Sequence, residues 1–243
     1  MSDFSELPEY TRDTYPSFGK KYNNEIGVIS LTSWTARINT VAKTLFSLVQ
    51  QCPNFHIVLV LAEEEFPKMT AELPENLMLF VENELIELMF VRKNYRSFKK
   101  VLFTMDKYRD VPVISADDDC IYTCNYAQEL YNAWLKNSNA IISSGVETKY
   151  NFTWSCGASS LYPPNKLNIV ALNNKDLVFN FASNDDAYIA AVSKKLNIKY
   201  ISLHKNWFFF HDDVNAMSKS HIYNVKRDLT NFYNNIKVKY EYN

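Results

Sequence analysis

The chain has 243 residues, 47% of them apolar and 22% charged, a composition ordinary for a soluble globular domain and long enough to bury a core without disulfide staples. With 26 Lys plus Arg against 27 Asp plus Glu there is no basic excess to hold a polyanion, so nucleic acid is not an expected partner. No apolar run approaches the length that crosses a bilayer, which excludes an integral helical membrane protein.

Residues 1–25 are polar, carry Pro8 and Pro16 and show no sustained period, and read as an arm over the surface. Val28–Leu31 is a short apolar run. Behind it Val41, Leu45, Leu48 and Val49 fall on one helix face. His56–Leu61 reads as a strand buried on both faces, and Ile86–Val91 as another, with a Pro67 and Pro74 loop region between them. Phe98, Val101, Leu102 and Met105 repeat the helical spacing, and Val111–Ile114 is the next strand, running into Asp117-Asp118-Asp119. A helix through Ala127, Leu130, Tyr131, Trp134 and Leu135 and a strand at Ala140–Ser143 follow. This alternation predicts an α/β domain with a mostly parallel sheet and helices on both faces.

From Gly145 to Phe181 no clean period is visible. Ser183-Asn184-Asp185-Asp186 then reads as a helix start, with carboxylates in the first turn of a helix through Ile189 and Val192. Trp207–Phe210 reads as a strand. The expected organisation is an arm over 1–25, one catalytic domain over 26–215 and a C-terminal tail over 216–243, helical and packed on the domain.

Ligands of open parallel sheets bind beyond the carboxyl ends of the strands, where the Thr32–Arg37, Arg92–Lys100 and Asp117–Asp119 segments fall. Three consecutive carboxylates repel one another unless a cation or solvent screens them, and two of them suit Mg²⁺ or Mn²⁺ with positions left for phosphate oxygens. The bland alternative is an exposed acidic turn. Lys99, Lys100 and Arg37 lie at helix starts, against the helix dipole, which an anionic ligand would explain. Lys99 reads rather as a solvated lysine. Only four glycines occur, and no GxGxxG or GxxxxGK[ST] is built from them, so dinucleotide-fold and P-loop binding are not expected. Cys52, Cys120, Cys124 and Cys156 read as free thiols without zinc spacing. The opening Met-Ser-Asp-Phe-Ser-Glu has no signal-peptide pattern, so the expected location is cytoplasmic, and the Asn151 sequon carries no meaning there.

Four segments together resemble bacterial glycosyltransferases of the GT-A fold found in capsule and lipopolysaccharide synthesis. These are Ser30–Trp34 with Arg37-Ile38, Arg96–Lys100, Ser115–Tyr122, and Leu161-Tyr162-Pro163-Pro164-Asn165 followed by Asn184-Asp185-Asp186, spanning about residues 27–213. The resemblance implies a nucleotide-sugar donor, UDP being the preferred reading, and a glycan or lipid-linked oligosaccharide acceptor. It places Thr32, Arg37, Ser97, Lys100, Asp117 and Asp118 on the nucleotide sugar, and Asp119 on Mn²⁺ or Mg²⁺, with His211 as a further metal ligand and His204 as its alternative. Asp186, with Asp185 as understudy, is the expected general base. Trp154 and Trp207 are candidates for stacking on sugar rings. Family members carry a glycine-rich stretch where this chain has Cys156-Gly157-Ala158-Ser159-Ser160. Interleaved cations and aromatics from Lys219 onward permit a peripheral contact with the inner face of the membrane. The rival reading is a non-catalytic sugar-nucleotide or glycan-binding module on the same fold.

Overall fold

The computed structural model describes residues 12–50, 54–155, 157–164, 167, 185–211 and 225–236. Cys52, Cys156, Asn165 and Asn184 lie outside the described residues. Strands β1 (Ser17–Gly19), β2 (Gly27–Thr32), β3 (Phe55–Ala62), β4 (Glu87–Val91) and β5 (Val113–Ser115) form the first half of the main sheet. Helices α1 (Val41–Val49), α2 (Glu75–Glu82) and α3 (Lys99–Lys107) connect them. Then come β6 (Cys120–Tyr122), α4 (Tyr126–Leu135), β7 (Ala140–Ser143), β8 (Val146–Lys149), β9 (Phe152–Ser155) and β10 (Ser160–Tyr162). Helix α5 (Asp185–Lys195), β11 (Lys199–Ser202), β12 (Phe208–Phe210) and α6 (Val225–Asn235) complete the described elements.

The eight-stranded sheet runs β1-β4-β3-β2-β5-β10-β7-β11. β4, β3, β2 and β5 are parallel neighbours, as are β7 and β11, whereas β1 and β10 run antiparallel to their neighbours. All eight residues of β3 are buried, as expected of a strand covered on both faces. One face packs Ile29, Leu31, Leu59 and Leu61 against α1, α2 and α4. The other packs Val28, Val58, Val60 and Ile141 against α3, α5 and α6. The result is one mixed α/β domain. Among the described residues no helix is long and apolar enough to cross a membrane.

Several local expectations are corrected. Within the stretch read as a surface arm, Ser17–Gly19 extends the sheet beside β4, and Tyr15 is buried with its hydroxyl 2.9 Å from Asp106 Oδ2. The Pro67–Pro74 region is not loop throughout: Pro74 stands just before α2, whose Leu77 and Val81 point into the core. The segment after Gly145 contains the β8–β9 hairpin and β10, which inserts between β5 and β7. β12 is present but leaves the main sheet to pair antiparallel with β6.

Two polar features bracket the sheet. Near its carboxyl end Ser30, Ser115, Ser160, Ser143 and Ser202 lie opposite one another across five adjacent strands. Ser30 Oγ donates to the Lys100 carbonyl at 2.7 Å and lies 2.7 Å from Thr104 Oγ1, tying α3 to β2. At the opposite end the buried Glu87 carboxylate meets His56 Nε2 at 2.7 Å and accepts from the Tyr108 hydroxyl and Lys107 ammonium. Burial alone would raise the pKa of Glu87, but His56, Lys107 and Tyr108 outweigh it and hold the carboxyl at about 2.

Candidate active site

β2 and β5 are parallel neighbours, and the Asp117–Asp119 triplet follows the carboxyl end of β5 beside that of β2. The three carboxylates face different ways. Asp118 points inward: its Oδ2 accepts from Ser33 Oγ at 2.6 Å and its Oδ1 from Arg37 Nη1 at 2.6 Å. The Asp118 carbonyl accepts from Thr44 Oγ1 at 2.9 Å, which fixes the start of α1 against the triplet. Burial pushes the Asp118 carboxyl up, opposed by Arg37 and Ser33. Asp119 Oδ2 lies 2.9 Å from Arg37 Nη2. Burial and the neighbouring Asp117 and Asp118 charges push Asp119 up to about 6 against the pull of Arg37. Only Asp117 opens substantially to solvent, with 35% of its side chain exposed against 7% and 6% for the other two.

Arg37 and Lys99 depart from their expected surroundings. Arg37 is buried in the turn before α1, and the anions that justify its position are Asp118 and Asp119. Lys99 is buried rather than solvated, with its ammonium 3.2 Å from both Glu65 Oε2 and Asn94 Oδ1. Burial lowers its pKa, with Glu65 opposing. Thr32 Oγ1 donates to the Val60 carbonyl at 2.6 Å, so its hydroxyl is engaged between β2 and β3.

A second carboxylate pair faces the triplet. Asp185 and Asp186 open α5, where a helix N-terminus favours the ionised form. Between them and Asp117 lies the buried ammonium of Lys100, bonded to Asp117 and 3.5 Å from the Gly157 carbonyl oxygen. Burial would depress the lysine, but Asp117, Asp185 and Asp186 outweigh it and keep it protonated. Ser97, in the turn before α3, hydrogen-bonds the Asp185 side chain. Burial raises the Asp185 carboxyl, with Lys100 opposing. Burial together with Asp185 raises Asp186 further still. Ser97, Lys100, Asp117, Asp185 and Asp186 therefore converge, whereas Ser33, Arg37, Asp118 and Asp119 make a neighbouring cluster beneath them.

His211 follows β12, and its backbone N–H donates to the Asp119 carbonyl at 2.8 Å while Nε2 lies 3.1 Å from Thr44 Oγ1. His204 is exposed, in the connection between β11 and β12. Among the described residues no group of three His, Cys, Asp or Glu side chains forms a ready-made metal cage. The donor chemistry nevertheless fits a hard divalent cation. Five carboxylates gather around two cations, Arg37 and Lys100, an excess of negative charge that a divalent cation would offset. An ion held by one or two carboxylates keeps positions for phosphate oxygens, the usual habit of Mg²⁺.

Trp207 is not available for stacking: it is buried, with its indole N–H donating to Glu129 at 3.3 Å. Trp154 is partly buried and packs on the core. Tyr122 and Gly157, by contrast, carry structural weight that motif reading missed. The Tyr122 hydroxyl accepts from the Asp117 N–H at 2.8 Å and donates to the Ala158 carbonyl at 2.7 Å. The available signals were that Tyr122 closes the Ser115–Tyr122 segment and that Gly157 stands where the resembled family is rich in glycine.

No protein-family profile matches the chain, and no curated protein resembles it in sequence. Among solved structures it is similar to S. aureus TarS, with a TM-score of 0.51 and 12% identity over 88% of this chain and 40% of that one. It is likewise similar to S. aureus TarS 1–349 in complex with UDP and in complex with UDP-GlcNAc. Each of those gives a TM-score of 0.54 and 13% identity, over 88% of this chain and 67% of the other. The chain thus spans less than half of the longer TarS chain. What is shared at this identity is the fold.

Proposed function

We propose that the chain is a metal-dependent GT-A glycosyltransferase that moves a sugar from a nucleoside diphosphate donor, UDP being the preferred nucleotide, to a glycan hydroxyl in surface polysaccharide synthesis. The observation that carries this reading is the pair of carboxylate groups, Asp117 and Asp185–Asp186, facing one another across the Lys100 ammonium at the carboxyl end of the sheet. A site that only bound a nucleotide sugar would not need the second pair. The UDP and UDP-GlcNAc complexes of TarS, which shares the fold, support the choice of donor class.

Asp119, with Asp117 beside it, would hold Mn²⁺ or Mg²⁺, whose chemistry is to neutralise the charge of the departing diphosphate. Thr32, Ser97 and Lys100 would contact the nucleotide, and Arg37 and Asp118 hold the Asp119 loop in place. Asp186 accepts the proton of the acceptor hydroxyl. The acceptor oxygen then forms its bond to the anomeric carbon, and the bond from that carbon to the diphosphate oxygen breaks, releasing nucleoside diphosphate with inversion. Burial and Asp185 strengthen Asp186 as a base, while Lys100 and the start of α5 favour its ionised form.

The test is Asp186→Asn, which keeps shape and removes the charge. General-base loss lowers kcat by ~10²–10⁴-fold with UDP affinity in Mn²⁺ unchanged. Near wild-type turnover in this variant and in Asp185→Asn would defeat the base assignment.

A further inference from the structure

Gly157 lies against the carboxylate of Asp186, so that a side chain there would make a tight contact with it. A methyl group built on its Cα stands 3.0 Å from Asp186 Oδ1, 3.5 Å from Oδ2 and 3.6 Å from Cγ, and these are the three nearest atoms. Its φ lies outside the left-handed region, so conformational freedom is not what a glycine supplies here. Gly145 makes the contrast, since nothing lies within 4 Å of the corresponding methyl there.

The turn that carries Gly157 is tied to the first carboxylate group twice. The Ala158 carbonyl accepts from the Tyr122 hydroxyl, which in turn accepts the Asp117 N–H. The Gly157 carbonyl lies 3.5 Å from the Lys100 ammonium that is bonded to the Asp117 side chain. Asp117, Tyr122, Ala158, Gly157 and Asp186 therefore form one continuous chain of contacts between the two halves of the site.

We propose that Gly157 is a positioning residue: its bare Cα is the seat that sets where the Asp186 carboxylate stands relative to Asp117. The inference rests on the reading of Asp186 as the base. A general base works within about 2.6–3.2 Å of the proton it takes, and misplacement by about 1 Å costs on the order of 10²-fold. An alanine methyl at 3.0 Å requires the carboxylate to turn or retreat by a few tenths of an ångström.

The experiment is a double-mutant cycle in the full chain, with Gly157→Ala, Asp186→Asn and their combination, and Gly145→Ala as the control. Turnover is read as nucleotide release from UDP-GlcNAc, UDP-glucose and GDP-mannose in Mn²⁺, binding as the Kd of UDP with Mn²⁺, and stability as Tm. Gly157→Ala is expected to lower kcat about tenfold, leave Kd and Tm at their wild-type values, and have no further effect in the Asp186→Asn background. A packing role for Gly157 predicts instead a lower Tm and the same loss of kcat in both backgrounds. Either that result or an unchanged kcat in Gly157→Ala overturns the proposal while leaving the base assignment intact. Wild-type turnover in Asp186→Asn, or no release from any of the three donors by the unaltered chain, overturns the underlying reading and the proposal with it.

Discussion

Arg37 Nη1 donates to Asp118 Oδ1 at 2.6 Å while Arg37 Nη2 stands 2.9 Å from Asp119 Oδ2, and all three residues are buried. One guanidinium thus joins the turn before α1 to two consecutive carboxylates after β5. Deleting one partner of a buried ion pair leaves the other uncompensated, a loss of about 3–5 kcal/mol. Arg37→Met is expected to destabilise the fold by that amount in urea unfolding. Arg37→Lys is expected to recover only part of it, because an ammonium does not present two separated N–H donors in a planar fork. A Met variant as stable as wild type would contradict the buried pair.

The surplus negative charge around Asp119 makes a direct prediction about metal. Asp119→Asn removes one oxygen ligand and one charge from a site whose function is to hold a cation against phosphate. Calorimetric titration of UDP is expected to show strong enhancement by Mn²⁺ in the wild-type chain and little in the variant. Equal enhancement in both would move the cation away from Asp119.

Glu87 supplies the pH prediction, at the end of the sheet remote from the crevice. Its folded pKa is about 2, below the ordinary value of 4.5, so it favours the folded state wherever an unfolded glutamate is ionised. That contribution, on the order of 3 kcal/mol, is fully present above about pH 4.5 and is lost as pH falls from there through about 2. Glu87→Gln is expected to lower stability at neutral pH by this order and to flatten the acid limb of a stability–pH curve between those values. An acid limb of unchanged slope would show that Glu87 is not the group responsible.

What could be seen in advance followed from periodicity. β3 and α1 announce themselves because burial on two faces, or on one helical stripe, writes a regular apolar pattern. β8 leaves no such trace, since three of its four side chains are exposed, and β1 and β10 are three residues each, too short to show a period. α2 hid behind prolines that mark its approach rather than its absence. At the site, the acidic triplet and the Asp185–Asp186 pair were legible because they are local. The direction each carboxylate faces was not, because it depends on Ser33 and Arg37, more than 80 residues earlier. Tyr122 and Gly157 act through contacts 36 and 29 positions away, and no spacing rule reports such distances.

The row of serines across β2, β5, β10, β7 and β11 bears on how such a protein can change over time. Each hydroxyl is small and satisfied by a neighbour, so the row closes off the apolar layers. Substitutions on the strand side are judged by volume and felt as stability. Those on the loop side touch polar groups that already have their own partners and are felt as chemistry. A fold divided in this way keeps much of its inheritance of shape separate from its inheritance of specificity, and a library confined to the loops beyond the serines samples new reactions with the fold kept, provided that the buried Arg37, Asp118 and Asp119 are left in place.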